Sequence, residues 1–312
     1  MAEGGIYARL GVKRRINAAG TLTRLGGALM APEVMAAMAE ASRASVDIAE
    51  LQAAASERIA QATGAEAGLV TSGAAAALTL AAAACMTRWN VARMAALPHA
   101  EGFPHEIILH RSQRTGYAHA VEAAGARLVD FGHNDRAAGA GVRGIESWEI
   151  ESAITERTAA FAFSATPENG ADLALVAEVC HERGVPVIVD AAAQLPPKES
   201  LRRFVSLGAD LVAFSGGKAI GGPQSTGILA GRRGLVGAAL VQQLDMDVSP
   251  ASWEPPGLID RTAMSGVPHH GIGRGFKVGK EEIVGLLMAL DRFCAADDEA
   301  ANAALEARLA VM

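Results

Sequence analysis

The chain has 312 residues and a formal net charge of −6, with half of its residues hydrophobic and a fifth charged. That composition excludes a disordered or collagen-like chain. An acidic balance without a basic tail argues against a large nucleic-acid footprint. Roughly a fifth of the residues are alanine, and the aromatics are few (8 Phe, 3 Trp, 2 Tyr), so the core must be built from small and aliphatic side chains with closely packed helices. Cys85, Cys180 and Cys294 are too far apart for a metal spacing or a disulfide framework and are expected to be buried, reduced thiols. The start, Met1 to Gly5, has no basic region followed by an apolar core and so no signal peptide. The most apolar run, Ala74 to Met86, is 13 residues long. A bilayer needs about 20, so this run reads as a helix buried on all sides. A cytoplasmic protein with no membrane contact is expected.

In chain order, the first thirty residues are irregular and glycine-containing. Pro32 opens a helix through about Arg43. Asp47 and Glu50 start a second helix, stopped by Gly64. Ala67 to Thr71 reads as a strand, Ser72-Gly73 as a turn, and the alanine run as the next helix. Thr87 to Pro104 shows no period and reads as a loop. Glu106–His110, Arg127–Phe131, Thr158–Ser164, Val185–Asp190, Asp210–Ser215 and Thr226–Ala230 read as strands. Between them lie helices at Tyr117–Ala124, at Asp172 (as cap) to Gly184, and at Leu201–Leu207, with others beyond Arg232, at Gly279–Ala295 and at Asp297–Leu309. Alternating strands and helices with near-continuous Val/Ile/Leu strands predict a three-layer α/β/α domain around a mixed, mostly parallel sheet. Ligands of such sheets bind beyond the carboxyl ends of the strands.

Those ends carry the chemistry. In Phe214-Ser215-Gly216-Gly217-Lys218 a lysine lies just past a buried strand, between Gly216-Gly217 and Gly221-Gly222. The segment fails as a phosphate-binding P-loop, because Val212 stands at the first glycine position and Ala219 follows the lysine. A surface lysine in a turn is one reading, and an amine that forms a Schiff base is the sharper one. Val187-Ile188-Val189-Asp190 ends a strand on a carboxylate, which suits a helix cap, a metal, or the ring nitrogen of a pyridine cofactor. Thr71-Ser72-Gly73-Ala74 is a strand, a small-residue turn and a helix start, the arrangement that cradles a phosphate. His110 or Arg111, at another strand end, could lie against a ring. Gly271 to Gly275 has the wrong spacing for a dinucleotide site, and His269-His270 lacks a metal-binding context.

Together these pieces occur in the order found in the large domain of pyridoxal-phosphate enzymes of the aspartate aminotransferase fold. Ile16-Asn17-Ala18-Ala19-Gly20-Thr21-Leu22, Thr71 to Leu78, His110-Arg111-Ser112-Gln113, Phe214 to Gln224 and Gly273 to Lys280 resemble the selenocysteine synthase-like (L-seryl-tRNA selenium transferase-like) family. Within it, the wording is most similar to the D-glucosaminate-6-phosphate ammonia-lyase-like branch. The resemblance covers about residues 14 to 295. It implies that Lys218 holds pyridoxal 5′-phosphate as a Schiff base and that Asp190 pairs with the pyridine nitrogen. It also implies that Ser72, Gly73, Ala74 and Ser215 hold the phosphate and that Arg111 lies near the ring, with Asn17, Arg24 and Gln224 on the substrate side.

The implied activity is a lyase acting on an amino acid or amino-sugar acid (phosphate). It would remove the α-proton, eliminate a β-substituent, and release ammonia and a keto acid. Selenium-transferase-like, racemase or aminotransferase outcomes on the same fold stay open, as does a non-catalytic cofactor-binding scaffold. The implied organisation is a segment, 1–30, crossing to a neighbouring subunit of a homodimer or higher homo-oligomer, and a large cofactor-binding domain, 31–275. Connecting helices, 276–312, then begin a small domain that the chain ends too early to complete. No tRNA-holding domain is expected before the first motif, and no metal or nucleic acid is expected.

Overall fold

The computed structural model describes residues 5–134 and 144–309; residues 1–4 of the expected N-terminal segment and 310–312 of the expected connecting helices lie outside them. A short helix, α1 (Gly5–Arg9), precedes an exposed segment, and α2 (Pro32–Ala41) and α3 (Ile48–Thr63) follow. Then come β1 (Ala67–Thr71), α4 (Ala74–Thr87), α5 (Val91–Ala96), β2 (Glu106–His110), α6 (His119–Glu122), β3 (Arg127–Phe131), α7 (Ser147–Ala153) and β4 (Thr158–Ser164). The chain continues through α8 (Gly170–Glu182), β5 (Val187–Asp190), α9 (Ser200–Ser206), β6 (Leu211–Ser215), β7 (Gly227–Gly231), α10 (Arg233–Gln243), α11 (Lys280–Ala295) and α12 (Asp298–Leu309).

The strands form one seven-stranded sheet in the order β1-β7-β6-β5-β4-β2-β3. β7 is antiparallel to both of its neighbours, and the remaining pairs are parallel. The sheet is therefore mixed and mostly parallel, with the carboxyl ends of all strands except β7 at one edge. Alternation along each strand sends Leu69, Ile107, Ile188 and Leu229 into a core under α4 and α10. Val70, Ile108, Val189 and Ile228 enter a second core under α2, α3, α8, α9 and α11. This is the expected three-layer arrangement.

Local chemistry explains the boundaries. Asp47 accepts the Glu50 N–H at 2.9 Å and caps α3. α4 is buried from Ala77 to Thr87, which its alanines permit by letting the sheet and α10 approach closely. β1 is an edge strand, and α3 closes its open side. Gln52 donates to the Val70 carbonyl at 2.8 Å and accepts the Val70 N–H at 3.1 Å, while Ser56 takes the Gly68 N–H at 3.0 Å. Such side-chain pairing blunts an otherwise open strand edge.

Four expectations are corrected. The stretch Thr87–Pro104 contains α5, which Asn90 caps by accepting the Arg93 N–H at 3.0 Å; six residues are too few to show a helical period. Tyr117–Ala124 is helical only from His119 to Glu122, preceded by a 3-10 turn at Gly116–Ala118. Asp172 lies inside the first turn of α8 rather than capping it, because the chain is turned earlier by Asn169, whose side chain bonds Ser164 and Thr166. Cys294 is exposed, in the last turn of α11 beyond Leu290, the last buried residue of that helix. Cys85 and Cys180 are buried as expected, and burial pushes both thiols up to about 12, so neither is a nucleophile at neutral pH. No helix among the described residues is long and apolar enough to cross a membrane.

Candidate active site

The sheet register aligns the sequence's candidates. Thr71 of β1 and Ser215 of β6 both pair with Gly227 of β7, forming one row across three strands. A β-carbon added at Gly227 would meet Gly73 C at 2.4 Å and Ala74 N at 2.6 Å. The turn Ser72-Gly73 is thus pressed onto β7 beside Ser215. On the other side, Ser164 of β4 pairs with Asp190 of β5, and Asp190 with Ala213 of β6. Asp190, Ser215, Ser72 and Arg111 consequently lie at one sheet edge.

Lys218 sits in a tight loop after β6. Gly216 donates to Thr226 O at 2.9 Å, Gly222 to Gly216 O at 2.9 Å, and Gly221 to Lys218 O at 3.0 Å. A β-carbon at Gly217 would lie 2.6 Å from Gln224 Cα, so only glycine fits against that returning backbone. The Lys218 ammonium makes no hydrogen bond or ion pair among the described residues. Its charge does act on Asp190.

Asp190 accepts the Ala192 N–H at 3.0 Å through Oδ1. Burial pushes its carboxyl above the ordinary 3.8, while that hydrogen bond and the Lys218 charge pull it back. The carboxylate borders a cavity of about 30 Å³ that Gln113, Thr115, Tyr117 and Ser164 also line.

Gly73 is the N-cap of α4, at φ +110, a conformation that favours glycine. No side chain caps the helix, and a β-carbon at Gly73 would meet nothing within 4 Å. The first turn of α4 thus has no side-chain cap and room beside Gly73, which is what an anion site at a helix start needs. The Ser72 hydroxyl donates to the Phe276 carbonyl at 2.7 Å, tying this turn to the 3-10 helix Ile272–Phe276.

The remaining candidates divide. Arg111 is exposed, and its guanidinium makes no hydrogen bond or ion pair among the described residues. His110 is instead a core residue, with its ring edge-on to Phe131 and burial holding it below 6.5. Gln224 donates to Thr23 O at 2.6 Å, and Ala28 N–H to Gly217 O at 2.9 Å. The segment around Arg24 is thereby docked on its own chain's lysine loop. Asn17 is not brought there. Its amide closes a local exposed turn, donating to Gly20 O and accepting from Ala19 N–H. Asp245, Asp247 and His270 cluster within metal-ligand reach. They are exposed, and Arg274 already pairs with Asp245. Sequence reasoning did not single out Gln113 and Ser164 as members of the site, although Gln113 closes the His110-Arg111-Ser112-Gln113 string and Ser164 ends a strand.

A family model, aminotransferase class V, matches residues 32–246. The chain belongs to the aminotransferase class-V family. It is 35% identical over 299 residues to D-glucosaminate-6-phosphate ammonia lyase of Salmonella typhimurium, covering 92% of this chain and 70% of that enzyme. It is 34% identical over 303 residues to a Streptomyces 5'-C-glycyluridine monooxygenase-decarboxylase, covering 94% of this chain and 66% of that enzyme. It is 29% identical over 260 residues to L-seryl-tRNA(Sec) selenium transferase of Solidesulfovibrio magneticus, covering 72% of this chain and 50% of that protein. The chain therefore spans between half and about two thirds of these relatives' lengths. The solved structure of D-glucosaminate-6-phosphate ammonia-lyase superposes with a TM-score of 0.77 at 32% identity, over 95% of this chain and 72% of that one.

The family's cofactor is pyridoxal 5′-phosphate. The residues of this class-V chain fit it on three separate grounds. A helix start without a side-chain cap has room beside Gly73, a lysine whose ammonium is unpartnered among the described residues follows β6, and a partly buried carboxylate with spare acceptor capacity ends β5.

Proposed function

We propose that this class-V chain is a lyase that takes an amino acid or amino-sugar acid, phosphorylated or not, and releases ammonia and a keto acid by α-proton removal and β-elimination. The observation that supports it is the placement of Lys218, whose ammonium makes no hydrogen bond or ion pair among the described residues, in the loop after β6, where its charge acts on the partly buried Asp190 at the end of β5, in a chain 35% identical to an ammonia lyase.

The bound cofactor supplies an aldehyde for covalent attachment and a pyridine ring that takes up the electron pair left at the α-carbon. Lys218 Nζ would hold the aldehyde and, when free, would be the base that accepts the α-proton. Asp190 would keep a proton on the ring nitrogen, and its partial burial would strengthen that charge pairing. Gly73 and Ala74 N–H groups, with the hydroxyls of Ser72 and Ser215, hold the phosphate. Arg111 faces the ring or the substrate carboxylate. Arg24 and Gln224, fixed against the lysine loop, are substrate-side groups, and Asn17 reaches a site only in a neighbouring subunit. The exposed stretch with Ile6, Tyr7, Leu10, Val12 and Ile16, each more than half accessible, supports such an exchange in a homo-oligomer, which light scattering would detect as at least a dimer.

Ammonia release from D-glucosaminate 6-phosphate, unphosphorylated D-glucosaminate and a panel of β-substituted amino acids tests the reading. Turnover of any of them supports it. Cofactor colour without turnover of any favours a scaffold. A second reading is favoured by the 34% identity to a monooxygenase-decarboxylase, and oxygen uptake accompanying turnover would select it.

A further inference from the structure

The segment after β2 is held at every residue but one. His110 Nδ1 lies 2.7 Å from the Ser112 hydroxyl and accepts the Ser112 N–H at 3.4 Å. Arg114 pairs with Asp130 at 2.8 Å and with Glu122 at 3.3 Å. Gln113 Oε1 accepts the Ser164 N–H at 3.2 Å, and the Ser164 hydroxyl donates back to the Gln113 carbonyl at 3.4 Å. Only the Arg111 guanidinium has no partner among the described residues. It is an unengaged cation carried on a backbone fixed at both sides, and so is available to a ligand.

The Gln113 bond is the one that spans from this segment to the reactive edge. The register between β2 and β4 stops at Ile108–Phe161, and Gln113 extends it by taking an N–H three residues further along β4. The residue it grips, Ser164, is the register partner of Asp190. Ser164 is itself held from behind, its carbonyl accepting Asn169 Nδ2 at 2.9 Å. Gln113, Ser164 and Asp190 line one cavity.

We propose that Gln113 is a positioning residue for the cofactor site: its side-chain bond to Ser164 fixes the spacing between Arg111 and Asp190, so that Arg111 is aimed at the bound ring. This rests on reading the site as a pyridoxal-phosphate site. It adds that Arg111 works only on a loop clamped through Gln113.

The test is a double-mutant cycle on the purified full chain with Gln113→Leu, Arg111→Leu and the pair. Pyridoxal phosphate is titrated, and the absorbance and induced circular dichroism of the bound chromophore are followed. Each single variant should weaken binding by roughly tenfold, about what one lost polar contact costs. Both should change the dichroism in the same way, and the pair should be no worse than Arg111→Leu within about twofold. A pair roughly a hundredfold weaker than wild type, the additive result, overturns the proposal and leaves Gln113 a purely structural ladder residue. If wild type itself takes up no cofactor, the functional reading fails separately. The clamp is then read by hydrogen exchange. Faster exchange at the Arg111 and Ser112 amides in Gln113→Leu supports it, and unchanged exchange refutes it. Should Gln113→Leu not fold, Ser112→Ala releases the neighbouring staple and is put through the same cycle, with the same two outcomes.

Discussion

Asp190 and Asp210 stand on neighbouring strands at opposite edges of the sheet, and their surroundings could hardly differ more. Asp210 is buried, and its carboxylate meets three groups of its own chain. Oδ2 accepts the Val187 N–H at 2.7 Å and meets His181 Nε2 at 2.9 Å, while Oδ1 pairs with Arg232. Asp190 has one backbone N–H and the charge of Lys218. A buried carboxylate normally gathers enough partners to offset its desolvation. Asp210 does so within the chain and reads as structure. Asp190 does not, and the shortfall is the space a ligand's proton fills.

The largest expected effect separates the two by chemistry. Asp190→Asn changes packing little but removes the partner of the ring nitrogen. Turnover should fall by on the order of 10³-fold, equivalent to about 4 kcal/mol, with the melting temperature of the apo protein not lowered. Stopped-flow spectroscopy with an accepted amino acid checks it, and wild-type turnover would make Asp190 a strand cap. The converse change, Asp210→Ala, strips Arg232, the His181 ring and the Val187 N–H of their acceptor. It should cost about 3 kcal/mol of stability, seen in urea unfolding, while cofactor affinity holds. A protein equally stable without Asp210 would contradict its structural role.

Ser72→Ala tests the phosphate turn. It removes a hydroxyl that also holds the Phe276 carbonyl, so cofactor affinity should drop by about tenfold, near 1.4 kcal/mol. Equilibrium titration measures it.

The smallest effect is a pH signature of the apo protein. Burial raises the Asp190 carboxyl in the fold above 3.8, so the unfolded chain ionises first and the folded state is penalised as pH rises through that window. The contribution of Asp190 to stability is thus present below 3.8 and lost at neutral pH. Apo Asp190→Asn should be slightly more stable than apo wild type at pH 7, with the gap closing as pH falls below 3.8. Thermal melts at both pH values decide it, and a gap of the opposite sign would show that Lys218 and Ala192 overcompensate the burial.

Much of this edge was legible in the sequence because its parts are local. The strands, the Gly64 stop and the Asp47 cap carry their own period or turn chemistry, and Lys218, Asp190 and the Ser72-Gly73 turn sit at predictable strand ends. Helix α5 was not legible, because six residues hold too little period. The α8 start was not, because Asn169 turns the chain through bonds to Ser164 and Thr166 that no pattern announces. Gln113 looked like one letter of a motif, and its meaning appears only when β4, fifty-one residues on, brings the Ser164 N–H to its side chain. His110 was left open beside Arg111 for the same reason, since Phe131, the ring it meets, lies on the next strand.

The central claim is that Lys218 carries the cofactor. The purified chain, supplied with pyridoxal phosphate, is reduced with borohydride, digested and mapped by mass spectrometry. A single stable adduct on the peptide containing Lys218, absent from Lys218→Ala, is the expected result. An adduct on another lysine, or none on well-folded protein, would contradict the account.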